Sequence, residues 1–478
     1  MMTDFYQLTM MYGYQKEHID DRRAVFDVFY RRNSANSVYA VAAGLEQMID
    51  YINHLSFSKE DIEYLRSLNC FDETFLSYLA NFHFSGDIWA VPEGTLVFPY
   101  EPLVRVEAPI MEAQLVETAM LNIINHQTLI ATKASRVVEA AQGDLVMEFG
   151  LRRAQGPDAG IYGARAAIIG GCRATSNVLT GQLFDVPISG THAHSWVMSF
   201  PTELDAFRAY AAVYPDACLL LVDTYDTLKS GVPNAITVFK ELRAKGYEPK
   251  GIRLDSGDLA YLSIQARKML DEAGFPQATI TASSDLDEEV IWDLKAQGAK
   301  INAWGVGTRL ITGNDCPALG GVYKMSAEIV DGKIIPKIKI SENIEKVTNP
   351  GKKKLLRIYD AGGMAVADLI CLYDEQIDPA KPLTIFDPNN TWKMMTVTDY
   401  SIRELLVPVF ENGSQVYTCP PLQQIQAYCT QELSTFWAQY RRLNKPHVYK
   451  VDLSAKLFRL REQMLRRGLA ITNVPELQ

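Results

Sequence analysis

The sequence predicts an α/β protein built on a parallel sheet, and three observations carry that prediction. Four short apolar runs, residues 218–223, 251–255, 278–285 and 301–307, each stop at a small cluster of acids, hydroxyls or glycines. Runs of that length, without polar alternation, read as strands buried on both faces. Helical patterns over 234–245, 259–273 and 288–296 separate them, which is the spacing of βα units. Antiparallel alternation is confined to other parts of the chain. Polar residues therefore collect at one edge, the C-terminal ends of the strands, where a (β/α) barrel carries its chemistry.

From Thr3 the pattern is helical, with Thr3 as a candidate N-cap and Tyr6, Met10, Met11 and Tyr14 at core spacing. Residues 86–107 alternate, with turns at Pro92-Glu93-Gly94 and Pro99, and predict a small antiparallel sheet. Helix resumes over 109–141. Gly143-Asp144 then leads into a first barrel strand at 145–149. A helix near 159–170 feeds an apolar run at 184–189 and the loop Gly190-Thr191-His192-Ala193-His194-Ser195. After Gly320 the character turns antiparallel, with strands over 322–329, 334–340, 355–359 and 364–369. Lys352-Lys353-Lys354 reads as a solvated turn, and 422–442 and 455–467 as amphipathic helices with basic last turns.

Composition narrows the class. With 478 residues the chain accommodates two or three domains. A hydrophobic fraction of 47% beside 22% charged residues sets aside disordered, collagenous and coiled-coil proteins. A net charge of -10 argues against a nucleic-acid-coating surface, which needs dense positive charge. The seven cysteines form no C-x-x-C pair and read as reduced thiols in a cytoplasm. No run of eighteen apolar residues and no signal-like N-terminus occurs, so neither membrane insertion nor secretion is expected.

Four segments are equipped for chemistry. Arg253-Leu254-Asp255-Ser256-Gly257-Asp258 places two carboxylates and a serine where a strand runs out, suited to vicinal ribose hydroxyls or magnesium, or simply to a turn with a helix cap at Asp258. Trp304-Gly305-Val306-Gly307-Thr308-Arg309 can present backbone N–H groups to an anion. Phe149-Gly150-Leu151-Arg152-Arg153 sets an aromatic plate beside guanidiniums, which suits a flat ring bearing a carboxylate. His194, in its strand-end loop, could be a general base, a metal ligand, a phosphoryl acceptor or a buried structural histidine.

Taken in order, T-D-F-Y-Q-L-T-M from Thr3, F-G-L-R-R from Phe149, G-T-H-A-H-S from Gly190, R-L-D-S-G-D from Arg253 and G-V-G-T-R-L from Gly305 resemble the nicotinate phosphoribosyltransferases over nearly the whole chain. The resemblance implies an irregular (β/α) barrel with a second α+β domain formed from both chain ends: residues 1–142 as an N-terminal helical and antiparallel-sheet domain, 143–320 as the catalytic barrel, and 321–478 as a C-terminal segment packing with the first. It implies transfer of phosphoribosyl from 5-phosphoribosyl 1-diphosphate to nicotinate, with ATP as co-substrate, Mg²⁺ held mainly by the substrate diphosphate, and a homodimer whose subunits share each active site. By motif, Tyr6 would stack on nicotinate from the neighbouring subunit opposite Phe149, and Arg152, Thr191 and Arg253 would surround the nicotinate and reaction centre. Asp255 would hold ribose hydroxyls. Ser284, Asp285, Gly305, Gly307 and Thr308 would line the phosphoribosyl pocket, and His194 would be the phosphorylated histidine.

Two alternatives accompany this reading. The amide-using relatives, nicotinamide phosphoribosyltransferases, carry an aspartate within the stretch that is Ala174-Thr175-Ser176-Asn177 here, and the absence of a carboxylate around Ser176 favours an anionic substrate. A barrel descendant serving only as a binding protein is the other, and the acids, glycines and His194 stand against it.

Overall fold

The computed structural model describes residues 1–33 and 37–471, and the chain divides into two compact units. One comprises Ile130–Pro317 with Pro421–Gln426, the other Met1–Leu129, Ala318–Pro420 and Ala427–Gln478.

The four apolar runs are strands of one parallel sheet. Its members are β1 (Leu145–Glu148), β2 (Ala174–Thr175), β3 (Leu219–Leu221), β4 (Gly251–Leu254), β5 (Thr279–Ser284) and β6 (Ala303–Val306), in the order β2-β1-β6-β5-β4-β3. Helices Val232–Ala244, Leu259–Glu272 and Glu288–Ala296 return the chain between strands, the last two capped by Asp258 and Asp287, which accept from the amides of Tyr261 and Val290. Among the described residues no ladder joins the edge strands β2 and β3, so the barrel is irregular, as expected. Gly251 is required by close approach: a Cβ there would lie 2.1 Å from the Thr279 carbonyl oxygen. Register brings the strand ends level. Glu148 stands opposite Thr175 and Val306, and Val306 opposite Ser284.

The other unit contains a seven-stranded sheet in which one inner strand, Arg23–Tyr30, pairs antiparallel with Gly321–Val330 on one side and Val104–Pro109 on the other. It also contains a four-stranded sheet of Ser401–Glu404, Lys353–Tyr359, Ala365–Leu372 and Val451–Leu453.

Several sequence expectations give way. The first helix spans Phe5–Lys16 with Asp4, not Thr3, at its N-cap, and its buried face is Gln7, Leu8 and Met11, while Tyr6 and Met10 are exposed. Gln7 bonds Glu117 at 2.9 Å, so a polar pair fixes the face that apolar spacing assigned elsewhere. Residues 184–189 are not a strand. Val178–Phe184 form a helix capped by Asn177, and Ile188 makes only an isolated bridge to Thr175. The lysine run is no solvated turn either, because Lys353 is buried in a strand and pairs with Asp27 at 2.7 Å. The strand predicted over 334–340 stops at Pro336, and the helix predicted over 422–442 is broken after Ser434.

Candidate active site

The strand ends of the parallel sheet hold a connected polar cluster. Arg253, next to last in β4, donates from Nε to Ser283 Oγ at 2.8 Å, from Nη1 to Thr191 Oγ1 at 3.2 Å and from Nη2 to Asp255 Oδ1 at 3.0 Å. Ser283 also donates to Asp255 Oδ1. Burial alone would raise the Asp255 carboxyl, but the hydrogen bonds from Ser283 and Arg253 and the guanidinium charge outweigh it and hold the group below the usual carboxylate range. A charge-assisted network of this kind fixes its members' orientation.

His194 joins from another side. It opens the helix His194–Met198 instead of lying in a loop after a strand. Its Nδ1 is 3.1 Å from Thr224 Oγ1 and its Nε2 3.6 Å from Asp255 Oδ2, while the side chain remains 40% exposed. The ring is thus oriented at both nitrogens yet reachable, which disposes of the buried structural histidine.

Asp223, at the end of the β3 run, accepts from the Asp255 amide at 2.9 Å and from Ser256 Oγ at 2.6 Å through Oδ2, and among the described residues its buried Oδ1 has no hydrogen-bond partner. Asp223, Thr224 and Ser283 were not singled out from the sequence. Asp223 carries the same signal as Asp255, an acid closing an apolar run, whereas only strand register reveals Ser283.

The second half of the edge is built around Phe149. A Cβ on Gly305 would come within 2.5 Å of its ring, and one on Gly307 within 3.2 Å of its carbonyl oxygen. The glycines therefore make room for the aromatic plate, a reason different from the anion cradle their spacing suggests. Thr308 opens a helix of four residues, and Arg309 is committed to Asp287. Arg152 lies on an exposed turn with no hydrogen bond or ion pair among the described residues. Ser176 donates its amide to the Glu148 carbonyl at 2.9 Å. The nearby Glu148 carboxyl is fully buried, raised by burial against hydrogen bonds from Thr175 and Gly150. Ser284 holds φ at 134° at the exposed end of β5, a conformation that L residues rarely adopt and that costs about 1–3 kcal/mol. Asp285 follows it, exposed. Tyr6 alone among the expected site residues belongs to the other unit.

His192 supports this edge from beneath. Its Nε2 accepts from the Leu221 amide at 3.3 Å, and burial pushes the imidazole down to about 4 from 6.5. Between those values the unfolded chain binds the extra proton, so stability is present in full above pH 6.5 and lost as pH falls toward 4. Unfolding midpoints should show His192 contributing about 2 kcal/mol of acid sensitivity between pH 7.5 and pH 5. In His192→Gln the pH dependence should flatten by that amount. An unchanged dependence would mean that another group titrates.

Three family models match the chain: the nicotinate phosphoribosyltransferase (NAPRTase) N-terminal domain over residues 1–125, the NAPRTase family over 145–362 and the NAPRTase C-terminal domain over 352–461. A nicotinate phosphoribosyltransferase of Bacillus subtilis (strain 168) is 50% identical over 453 residues, covering 95% of this chain and 92% of that one. One from Caenorhabditis elegans is 36% identical, covering 96% and 92%. The crystal structure of human nicotinic acid phosphoribosyltransferase superposes with a TM-score of 0.86 at 30% identity, covering 97% of this chain and all of that one.

Proposed function

The chain belongs to the nicotinate phosphoribosyltransferase family, and on that premise we propose that the Arg253 cluster is where phosphoribosyl passes from 5-phosphoribosyl 1-diphosphate to nicotinate. The observation that carries the assignment is the three-way anchoring of Arg253 at the strand-end edge, with Asp255 and His194 in contact range.

The reaction breaks the bond from ribose C1 to diphosphate and forms one to the pyridine nitrogen, giving nicotinate mononucleotide and diphosphate. Its transition state puts positive character on the sugar and negative charge on the leaving group, so placement and charge compensation matter more than a strong base. Asp255, kept ionised by Arg253 and Ser283, accepts from the ribose hydroxyls and faces the developing positive charge. Thr191 and Arg253 stand beside the reaction centre. Phe149 supplies the plate for the pyridine, Arg152 a free guanidinium for its carboxylate, and Ser284, Asp285, Gly305, Gly307 and Thr308 the phosphoribosyl pocket.

Among the described residues no group of three or more metal-ligating side chains occurs. The orphaned Oδ1 of Asp223 nevertheless fits magnesium, which takes one or two carboxylates and completes its shell from substrate phosphates. Asp223 would hold it, and it would neutralise the diphosphate. ATP is the co-substrate, and His194 is its phosphoryl acceptor. We place the reaction in the cytoplasm, in keeping with seven cysteines that all remain free. Among the described residues no helix is long and apolar enough to cross a membrane.

The substrate is nicotinate and not its amide because no carboxylate follows β2, and the one nearby, Glu148, is buried and engaged twice. Ser176→Asp tests this directly. A like charge facing the carboxylate costs several kcal/mol, so nicotinate turnover should fall at least about 100-fold, with nicotinamide less affected. Nicotinate use at the parental level would remove Ser176 from the ring's surroundings and the selectivity argument with it.

The exposure of Tyr6 supports a homodimer in which it completes the neighbouring subunit's site. Mixed dimers of Tyr6→Ala and Arg253→Ala chains would then carry one intact site, and random reassembly should restore about a quarter of parental activity. If native mass measurement shows mixed dimers and no activity returns, Tyr6 does not serve a partner's site.

A further inference from the structure

The unit that contains both chain ends has a cavity of about 780 Å³, walled by Tyr100, Tyr449, Lys393, Asp452 and Arg461 among others. That volume lies within the roughly 300–1,000 Å³ occupied by small-molecule sites. The charges around it are unequally matched. Asp452 lies 2.9 Å from Lys450 as an ion pair, although neither of its buried oxygens accepts a hydrogen bond among the described residues, Glu345 pairs with Arg32 at 2.6 Å, and Asp387 accepts the amides of Asn389 and Asn390 at 2.8 and 3.2 Å. Arg461, only 9% exposed, has no hydrogen bond or ion pair among the described residues, and its Nε is fully enclosed. Burial pulls its guanidinium down from the usual range. A desolvated cation without a partner is costly, and a bound anion is the simplest compensation.

The wall beside it is rigid. Tyr449 stacks on Phe98 with ring centroids 4.1 Å apart and donates to Asp368 at 3.0 Å, and Asp368 is itself bound by the wholly buried Arg357. The buried polar network fixes this aromatic wall, and the unpaired guanidinium lines the same cavity, which makes it a built recognition site. We propose that this cavity binds a small organic anion, a phosphate or a carboxylate, with Arg461 as its anchor. The site is assembled wholly from the unit that lacks the parallel sheet and is separate from the Arg253 cluster.

Titration calorimetry of the full chain tests it, with AMP as the phosphate probe, benzoate as the carboxylate probe and adenosine as the uncharged control. Parent and Arg253→Ala should both show an AMP or benzoate site that depends on Arg461, and any binding that survives Arg461→Met belongs to the barrel and is left out of the reading. Whichever binds identifies the anion. Arg461→Met should weaken that binding about ten-fold or more, Arg461→Lys should retain part of it, and adenosine should not bind there. Folding is controlled by thermal melting: an apolar isostere for an unpartnered buried charge should leave the melting temperature of Arg461→Met equal or higher. A lower melting temperature would mean that the guanidinium is satisfied within the protein and would overturn the proposal. So would the absence of any Arg461-dependent binding of AMP or benzoate.

Discussion

Arg253→Ala lowers kcat/KM for nicotinate by about 100-fold, the equivalent of about 2.7 kcal/mol. The truncation removes donors to Ser283, Thr191 and Asp255 together and leaves the Asp255 carboxylate without its cationic partner. Breaking one side of a desolvated, hydrogen-bonded charge pair costs about 2–5 kcal/mol, most of it from the stranded charge. The comparison is Arg442→Ala, an exposed arginine whose Nε bonds only the Lys445 carbonyl and whose loss should leave turnover within two-fold of the parent, roughly the scale of a surface change. Steady-state kinetics of the two variants decide the matter. Parental turnover by Arg253→Ala would remove that residue from the reaction centre.

His194→Ala should abolish the stimulation by ATP and leave a slower, ATP-independent reaction. Thr224 contacts Nδ1 and Asp255 faces Nε2, so the ring is held at both nitrogens while its side chain stays 40% exposed. A phosphorylated imidazole 3.6 Å from a carboxylate adds negative charge where Asp255 already carries one. Repulsion would shift Asp255 and its arginine, and so couple ATP hydrolysis to the phosphoribosyl site. Label from γ-labelled ATP should appear on the parent as an acid-labile, base-stable adduct and be missing from His194→Ala. Equal labelling of the variant would locate the acceptor elsewhere.

The barrel was legible because its strands are buried on both faces and therefore read as unbroken apolar runs, each closed by polar residues or glycines at the strand-end edge. Asp255 could be picked out as an acid at a strand end, and His194 by its residue type, although it opens a helix instead of following a strand. Phe149 was visible as well, though the role of Gly305 was not, since room for a ring is a matter of packing between strands distant in sequence. Arg23–Tyr30, an inner strand of the largest sheet, is hidden in the sequence because Asp27 interrupts an otherwise apolar run, and the partner that excuses it, Lys353, lies far along the chain. The same pairing misled in the other direction: three consecutive lysines look solvated until the buried aspartate is known. The helix Val178–Phe184 was lost to the short apolar run that follows it.

Product formation tests the central claim most directly. Purified protein is given 5-phosphoribosyl 1-diphosphate, magnesium and ATP with either nicotinate or nicotinamide, and mononucleotide and diphosphate are measured together. Nicotinate should yield nicotinate mononucleotide and diphosphate in equal amounts, faster with ATP than without, while nicotinamide yields at most a small fraction of that rate. Turnover of nicotinamide at the rate of nicotinate, or no mononucleotide from either, would contradict the account.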